Sequence, residues 1–290
     1  MTALRRWWAD PHRPPRILQA VTAAYLLWSL LPVAIAVMFS FNSGRSRTQW
    51  QGFSFRWYWG DPIRSVWHDD TLRTALSHTL VLGVLATAVT VPLGVAFALG
   101  VDRWRGRLPE GANFVMLVSF VIPETLLAVA LLFLVNQVRT PLELGTSAQV
   151  AGLVTFQLSY PVVIVRARLL TIGKQYEQAA IDLGASPMGA VRRVLLPMLM
   201  PAILVSAVLV FADVIDDFII VRYLSGDSST EPVSVKVYNT ARAAPTPALN
   251  ALTTLLLAAS LVAVAVGFLA YRWFTRGEKG RSLDVFAGEA

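Results

Sequence analysis

The stretch from Gln175 to Pro197 reads QYEQAAIDLGASPMGAVRRVLLP and decides the fold. Apolar residues in its first half recur at helical spacing, at Tyr176, Ala179, Ala180 and Leu183. That spacing predicts a short amphipathic helix. Gly184 follows directly, and because it lacks a Cβ it can adopt the left-handed conformation in which helices often end. The first half therefore predicts a helix that stops at Gly184.

The second half of this stretch carries the signals of another helix start. Ser186 is a residue type that caps helix N-termini, and Pro187 suits the first helical position. Arg192 and Arg193 are expected near the end of this second helix, where basic side chains complement the helix dipole. The two halves predict a helix-turn-helix elbow that is too polar to span a membrane. The plainer interpretation is a surface elbow that only connects two spans.

Long runs without Asp, Glu, Lys or Arg lie on both sides of the elbow, and each can hold a spanning helix of about 20 residues. The five runs are Ile17 to Gly44, Thr74 to Val101, Leu144 to Val165, Val194 to Ala212 and Ala243 to Tyr271. A sixth span is predicted between Gly111 and Gln137, where Glu124 is the only charged residue. The span that begins at Val194 is expected to continue to about Ile220. The chain is therefore predicted to be an all-α, polytopic membrane protein with six transmembrane helices.

The composition excludes an ordinary soluble protein. Of the 290 residues, 55% are hydrophobic and 15% are charged, with a mean hydropathy of +0.56, whereas soluble proteins carry about 25% charged residues. The net charge of +7 is interpreted as basic cytoplasmic loops, and no nucleic-acid partner is expected. The lack of cysteine excludes disulfides, thiol catalysis and Cys-ligated metals.

Sequence motifs for catalysis and metal binding do not stand out. The histidines His12, His68 and His78 are far apart in the sequence, so no histidine-based metal site is expected. Gly173-Lys174 lacks the remaining residues of a P-loop, so this chain is not expected to hydrolyse ATP by itself. No catalytic residue, metal or cofactor is therefore predicted for this chain.

The distribution of basic residues predicts the orientation. If six helices alternate from a cytoplasmic N-terminus, 16 of the 25 Lys and Arg residues lie inside and 9 outside, as the positive-inside rule prefers. Residues 1–16 and 274–290 are then cytoplasmic tails around a six-helix domain at 17–273. The loop from Asn42 to Arg73 lies outside, where its aromatic residues suggest an interfacial lid. A signal peptide cleaved after Ala36 is the competing interpretation, but the apolar region is long for a signal.

Three carboxylates follow the apolar run that begins at Val194. Asp213, Asp216 and Asp217 are spaced i, i+3 and i+4, so they can project from one helix face. An Asp at the centre of a spanning helix costs about 2.5 to 3.5 kcal/mol unless it meets water, a cation or a partner. We therefore expect the three side chains to face a translocation pathway. Pairing with Arg222 or another local basic group at the membrane surface is the alternative.

Glu124 lies near the middle of the predicted sixth span. Eleven residues separate it from Asn113, which places it about 17 Å along a helix. Pro123 directly before it can open the helix and expose backbone polar groups to a cavity. Contact with a solute and a structural bond to a neighbouring helix both remain open for Glu124. A cationic solute would suit Glu124 and the three aspartates.

The elbow resembles the EAA signature of ABC importer permeases, E-A-A-x3-G-x9-I-x-L-P. The matching residues are Gln178-Ala179-Ala180, Gly184, Val194 and Leu196-Pro197. Gln178 replaces the glutamate of the signature, Val194 replaces its isoleucine, and Glu177 lies one position earlier. The resemblance implies that the elbow, residues 174–197, is a coupling helix that docks on an ATPase. The implied coupling residues are Glu177, Gln178, Ala179, Ala180, Asp182, Gly184, Leu196 and Pro197.

Within that family the chain is most similar to the spermidine/putrescine permease subunits. The similar segments are Phe41-Asn42-Ser43, Trp50 to Phe53, Trp57-Tyr58, Pro123-Glu124, Asp216-Asp217, Pro232 to Tyr238 and Asn250 to Leu252. This resemblance implies a type I ABC importer permease (MetI-like) fold in the bacterial inner membrane. It also implies ATP-driven import of polyamines or a similar small solute. The implied partners are an ABC ATPase dimer, a second permease in a heterodimer, an extracytoplasmic solute-binding protein and membrane lipid.

Two other classes of protein compete with the importer permease. A secondary transporter could use the intramembrane carboxylates as a coupling-ion site, but it would not need the capped elbow. A membrane-embedded enzyme would need a catalytic constellation, and the sequence offers none. The elbow therefore favours the importer permease.

Overall fold

The fold is described from a computed structural model, which covers residues 16–46, 48–103, 107–138, 142–243 and 246–287. In these ranges the structure is helices, turns and loops, and the only β-pairing is one antiparallel bridge between Asn42 and Phe53. The all-α prediction is therefore confirmed. The predicted tail at 1–16 lies outside the described residues except for Arg16, as do residues 288–290 of the second tail.

The described residues form twelve α-helices and three short turns of other helix types. The α-helices are α1 (Arg16–Ser40), α2 (Asp70–Arg103), α3 (Arg107–Val121), α4 (Glu124–Gln137), α5 (Thr146–Gln157), α6 (Ser159–Ile172), α7 (Gln175–Asp182), α8 (Pro187–Ala190), α9 (Leu196–Asp216), α10 (Ile219–Tyr223), α11 (Val233–Ala243) and α12 (Pro247–Ala287). The other turns are π-turns at Arg56–Gly60 and Val191–Leu195 and a 3-10 turn at Ser228–Thr230. Only Leu158 separates α5 from α6, so the two helices make one span.

Five helices in the described part of the chain are long and apolar enough to cross a membrane. They are Ile17–Ser40, Asp70–Arg103, Thr146–Ile172, Pro187–Asp216 and Pro247–Phe274. Each matches one of the five uncharged runs, but several extend beyond them. The third, for example, continues through Arg166 and Arg168 to Ile172, because long basic side chains can carry their charge away from an apolar helix without ending it. A charge therefore marks the end of a run, not the end of a helix.

The predicted sixth span is not one helix. α3 ends at Val121 and α4 begins at Glu124, with Pro123 between them as the N-cap of α4. Proline has no N–H to donate and disfavours helical geometry at the residue before it, here Ile122. The break confirms that Pro123 opens the helix. Neither α3, with 15 residues, nor α4, with 14 residues, is long enough to cross a membrane as one helix, so the count of six single spanning helices is not confirmed.

The predicted continuation to Ile220 is also wrong. α9 ends at Asp216, and Asp217 has a φ of −55° and a ψ of 134°, which is not helical geometry. The short helix α10 then begins at Ile219. The continuation rests on apolar character alone, and apolar character does not report a change in backbone direction. The three aspartates therefore do not share one continuous helix.

The long helix α2 packs against both α6 and α9 and passes through the main hydrophobic core. Two glycines allow the close approach. A Cβ at Gly94 would lie 2.4 Å from Cγ of Pro161 in α6, and one at Gly83 would lie 2.7 Å from Cγ2 of Ile215 in α9. Real Cβ atoms are not found at such distances. α2 is therefore the helix around which the others are arranged.

Residues 41–46 and 48–69, which we call the aromatic loop, fold into a compact unit at one end of α1. The Trp57 side chain is buried, and its Nε1 donates a hydrogen bond to the Asn42 carbonyl at 2.7 Å. Tyr58 Oη lies 2.7 Å from Ser40 Oγ. Trp57 and Tyr58 belong to a second hydrophobic cluster that includes Leu252 of α12. The loop is therefore anchored to two spans rather than extended into solvent.

Candidate functional site

The first arm of the elbow is α7, and its end follows the sequence prediction. Gly184 has a φ of +91°, which is left-handed geometry that glycine adopts without strain. Its N–H donates to the Ile181 carbonyl at 2.8 Å, and the Ala185 N–H donates to the Ala180 carbonyl at 3.0 Å. These hydrogen bonds pair two carbonyl groups of the last turn that would otherwise have no donor. The predicted stop at Gly184 is confirmed.

The second arm starts as predicted but does not end as predicted. Ser186 Oγ accepts a hydrogen bond from the Gly189 N–H at 3.1 Å, and Pro187 occupies the first turn. The helix then continues through the π-turn Val191–Leu195 directly into α9. Arg192 and Arg193 therefore lie within a continuous helical rod and not at a helix end. Leu196 and Pro197 form the first turn of α9, which joins the elbow rigidly to a membrane span.

The apolar side chains of the elbow are not covered by this chain. No residue of α7 is buried. Leu183 is 89% exposed, Met188 is 73% exposed and Tyr176 is 48% exposed. Ala180 is partly buried, whereas Gln178, Ala179 and Asp182 are exposed. The residues that match the EAA signature thus lie on a surface that exposes large apolar groups beside small ones.

Glu177 points in a different direction from its neighbour Gln178. Its Oε2 accepts a hydrogen bond from Arg103 Nε at 3.1 Å, and its Oε1 pairs with Arg103 Nη2. Arg103 is the last residue of α2, and its Nη1 also pairs with Asp102. The sequence analysis missed this contact. The basic residue at the end of the second span indicated that an acidic partner was needed. The sequence around Arg103 did not show that this partner lies 74 positions later.

A second candidate site, the carboxylate cluster, consists of Glu124, Asp213 and Asp217. Glu124 begins α4, and its carboxyl group lies close enough to interact electrostatically with the carboxyl group of Asp217 in the linker after α9. Asp213, in the last turn of α9, lies close enough to interact electrostatically with Asp217. Both helix breaks, at Pro123 and at Asp217, thus deliver a carboxyl group to the same place. Sequence spacing predicted none of this convergence between Glu124 and the aspartates.

Two uncharged residues complete this site. Gln157, at the junction of α5 and α6, is fully buried and its Nε2 donates to Asp213 Oδ2. Its Oε1 makes no hydrogen bond to the described parts of the chain. Tyr160 interacts electrostatically with both Asp213 and Glu124. A search by formal charge could not find these residues, although a glutamine inside an apolar run was a usable signal.

The linker after α9 is fixed by several hydrogen bonds. Asp217 Oδ1 accepts from the Val221 N–H at 3.2 Å, which satisfies a donor of α10. The Asp217 carbonyl accepts from Ser234 Oγ at 2.6 Å. The buried Gln149 of α5 donates from Nε2 to the Val221 carbonyl at 3.1 Å and to the Thr230 carbonyl at 2.9 Å. The position of Asp217 is therefore set by its surroundings and not by a flexible loop.

Asp216 and Arg222 lie on either side of Asp217 in the chain. Asp216 ends α9 and is exposed, as Asp213 is. None of the ion pairs among the described residues joins Arg222 to Asp213, Asp216 or Asp217. The alternative in which Arg222 neutralises the three aspartates is therefore not the arrangement that the chain adopts. In the same ranges, no group of three or more His, Cys, Asp or Glu side chains is placed to hold a metal ion.

Several spanning helices, an exposed elbow continuous with one span and carboxyl groups at two helix breaks define a membrane subunit of a transport system. The sequence profile of the family described as "Binding-protein-dependent transport system inner membrane component" matches residues 90–280, so the chain belongs to this family. It is the permease subunit of a binding-protein-dependent ABC importer, as the sequence interpretation expected. The secondary-transporter interpretation is not favoured.

Characterised relatives and a solved structure agree with this assignment. The putrescine transport system permease protein PotI of Escherichia coli K12 is 32% identical over 259 residues, covering 88% of this chain and 89% of PotI. The spermidine/putrescine transport system permease protein PotC of the same strain is 32% identical over 260 residues, covering 90% and 95%. A bacterial ABC transporter for the import of alginate contains a chain with a TM-score of 0.70 at 16% identity, covering 93% of this chain and 99% of that one. The MetI-like fold is therefore shown.

Proposed function

We propose that this permease transports polyamines or similar small polycations and that the carboxylate cluster forms part of their route. The observation that carries the proposal is the convergence of Glu124, Asp213 and Asp217 from two helix breaks. Carboxyl groups gathered in a membrane-spanning region need a cation, water or a proton for compensation. An elongated polyamine has amine groups that would supply that charge. The similarity to PotI and PotC supports this choice of solute.

The proposed energy source is a separate ABC ATPase dimer that docks on the elbow. The apolar side chains of Leu183, Met188 and Tyr176 are exposed in this chain, and a cleft in an ATPase would cover them. The second arm is continuous with α9, so a movement of the elbow would reach the end of α9 near Asp213 and Asp217. A second permease, paired with this chain as a heterodimer, and an extracytoplasmic binding protein would complete the importer.

The proposed orientation places both termini and the elbow in the cytoplasm and the aromatic loop outside, with α3 and α4 together making the sixth crossing. It rests on the excess of Lys and Arg on the elbow side. Reporter fusions test it directly. A fusion after Ala290 should give a cytoplasmic signal and one near Arg64 an external signal. An external C-terminus would reject the proposed topology.

Polyamine uptake tests the proposed solute. We would assemble the complete importer in vesicles and compare wild type with the double variant D213N/D217N at equal membrane abundance. Loss of two carboxyl groups should lower spermidine or putrescine uptake about tenfold or more, because both are then lost as partners for the amine groups of the polycation. The control is D70N, which removes the exposed carboxylate of a pair at the start of α2.

The outcomes separate the parts of the proposal. Unchanged uptake by D213N/D217N would show that the cluster is structural. If assembled wild type takes up no polyamine, the substrate assignment is wrong while the permease assignment stands. If the elbow binds no ATPase in co-purification, the proposed energy coupling is wrong.

A further inference from the structure

We infer that Arg103 and Glu177 form a clasp that transmits movement of the elbow to α2, which makes both of them positioning residues for energy coupling. The inference rests on the proposed docking of an ATPase at the elbow. It adds a second mechanical connection to the one that the chain already provides through α9. The elbow would then act on two membrane spans at once.

The geometry of the clasp supports a contact that can transmit force. Arg103 uses Nε and Nη2 toward the two oxygens of Glu177, so the contact is bidentate and fixes the relative orientation of both side chains. The Arg103 side chain is 25% exposed and that of Glu177 is 13% exposed, so the pair is shielded more than a usual surface ion pair. Asp102 contacts the remaining nitrogen, Nη1, and holds the guanidinium in place.

The neighbouring residues show that Glu177 is dedicated to this contact. Consecutive residues on a helix point about 100° apart. Glu177 accordingly lies against α2, while Gln178 is exposed on α7. The elbow therefore has one polar residue for the interior of the subunit and another for the exposed surface. No other ion pair among the described residues joins the elbow to a different helix.

The path from the clasp leads toward the carboxylate cluster. About 20 residues separate Arg103 from Gly83, which corresponds to about 30 Å of continuous helix. At Gly83, α2 meets Phe211 and Ile215 of α9 without room for a Cβ. Those two residues flank Asp213, and Ile215 is two residues before Asp217. A displacement of α2 at Arg103 would therefore reach the helix end that carries the aspartates.

Charge reversal tests the clasp in the assembled importer. The variants R103E and E177R each place like charges against one another, and we expect solute uptake per ATP hydrolysed to fall at least fivefold. The double variant R103E/E177R keeps two carboxylates around one guanidinium. Its solute uptake per ATP hydrolysed should return to within twofold of the wild-type value. The control is E110Q, which neutralises an exposed carboxylate in the first turn of α3. The membrane abundance and ATPase co-purification of all variants are measured in parallel.

A reversible cross-link keeps the test decisive if the single variants insert poorly. The chain contains no cysteine, so R103C/E177C introduces the only two thiols. Combined with cysteine-free partner subunits, this variant should be uncoupled, and a short thiol-specific cross-linker should raise its uptake per ATP at least threefold. Reduction should reverse the gain. A merely structural ion pair would not give a coupling ratio that follows the cross-link in an already assembled complex.

The outcomes distinguish the clasp from the proposed function. Suppose that wild type binds the ATPase and couples hydrolysis to uptake, but R103E and E177R keep the wild-type uptake per ATP hydrolysed. The clasp is then wrong, while the proposed function stands. The clasp is likewise overturned if the double variant is no better than the singles at equal abundance, or if cross-linking leaves the ratio unchanged. If wild type binds no ATPase, the proposed coupling fails and the clasp fails with it.

Discussion

The elbow and the carboxylate cluster differ in how the chain builds them. The elbow is one continuous segment whose turn is fixed by Gly184 and Ser186, and its apolar side chains stay exposed. The carboxylate cluster joins Glu124 of α4 with Asp213 and Asp217 at the end of α9, and Gln157 from the α5–α6 junction is hydrogen-bonded to Asp213. One region is complete in itself but lacks a covering partner. The other requires the whole tertiary fold before any of its groups meet.

This difference has a mechanical consequence. The elbow can keep its shape while it moves, because the hydrogen bonds that fix its turn are local. The carboxylate cluster must change when α4, α9 or α2 shifts, because its members sit on different helices. A transport cycle needs both properties, a rigid part that receives force and a composite site that responds to it. The following predictions test this division.

The largest effect is expected where both regions are damaged together, at the packing of α2 on α6. In G94L the new Cβ would lie 2.4 Å from Cγ of Pro161, and overpacking of this kind costs about 1–3 kcal/mol or more. We expect the melting temperature in detergent and the membrane abundance both to fall. The control is G100L on the same helix, where a Cβ meets nothing within 4 Å.

G100L should keep near-wild-type stability, because replacing an exposed helical glycine also removes an entropic penalty of about 0.5–1 kcal/mol. Equal melting temperatures for G94L and G100L would contradict the packing of α2 described above.

The next effect should be confined to the elbow. G184D forces a residue with a Cβ into a φ of +91°, at a strain of about 1–3 kcal/mol, although nothing lies within 4 Å of that Cβ. We expect insertion to be normal and co-purification of the ATPase to fall about tenfold, which corresponds to about 1.4 kcal/mol. The matched control is G184N, because asparagine tolerates left-handed geometry better than most residues. Wild-type ATPase binding and stimulated hydrolysis by G184D would reject the elbow as the docking site.

A smaller effect should divide the aspartates themselves. D217N keeps an oxygen that can accept from the Val221 N–H but removes the acidic group beside Glu124, whereas D216N changes an exposed side chain at the end of α9. We expect D217N to lower polyamine uptake about fivefold, roughly 1 kcal/mol, and D216N to lower it less than twofold. ATPase co-purification should stay normal for both. An equal loss in D216N would mean that the three aspartates act as the single face that their spacing suggested.

The sequence was most informative where structure is local. The stop at Gly184, the cap at Ser186 and the break at Pro123 were all predictable, because each depends on the conformational properties of one or two residues. The five longest spans were predictable because lipid requires long apolar helices. Their ends were less certain, since Arg166 and Arg168 belong to a helix that charge counting had already ended.

The tertiary contacts were not predictable in the same way. The pairing of Glu124 with Asp217 and of Arg103 with Glu177 depends on how distant helices pack, and their separation in sequence hides it. The predicted extension to Ile220 of the run that begins at Val194 failed for the same reason. The linker at Asp217 is held by Ser234 and Gln149 from elsewhere in the chain. The residues around Asp217 in the sequence do not predict these contacts.

The smallest effect is expected in the aromatic loop, which belongs to neither region. Hydrogen bonds from the Arg64 N–H, the Arg56 side chain and the Ile63 N–H lower the pKa of Asp61 from 3.8 to about 2. A carboxyl whose pKa is lower in the folded state stabilises the fold above its unfolded pKa, and this stability is lost as the pH falls through the folded value. Protection of the loop against pepsin in vesicles that expose it should therefore decline between about pH 4 and pH 2. D61N should lose this dependence and be cut more readily throughout that range, whereas D70N should keep the wild-type profile. A wild-type profile in D61N would show that Asp61 does not hold the loop closed.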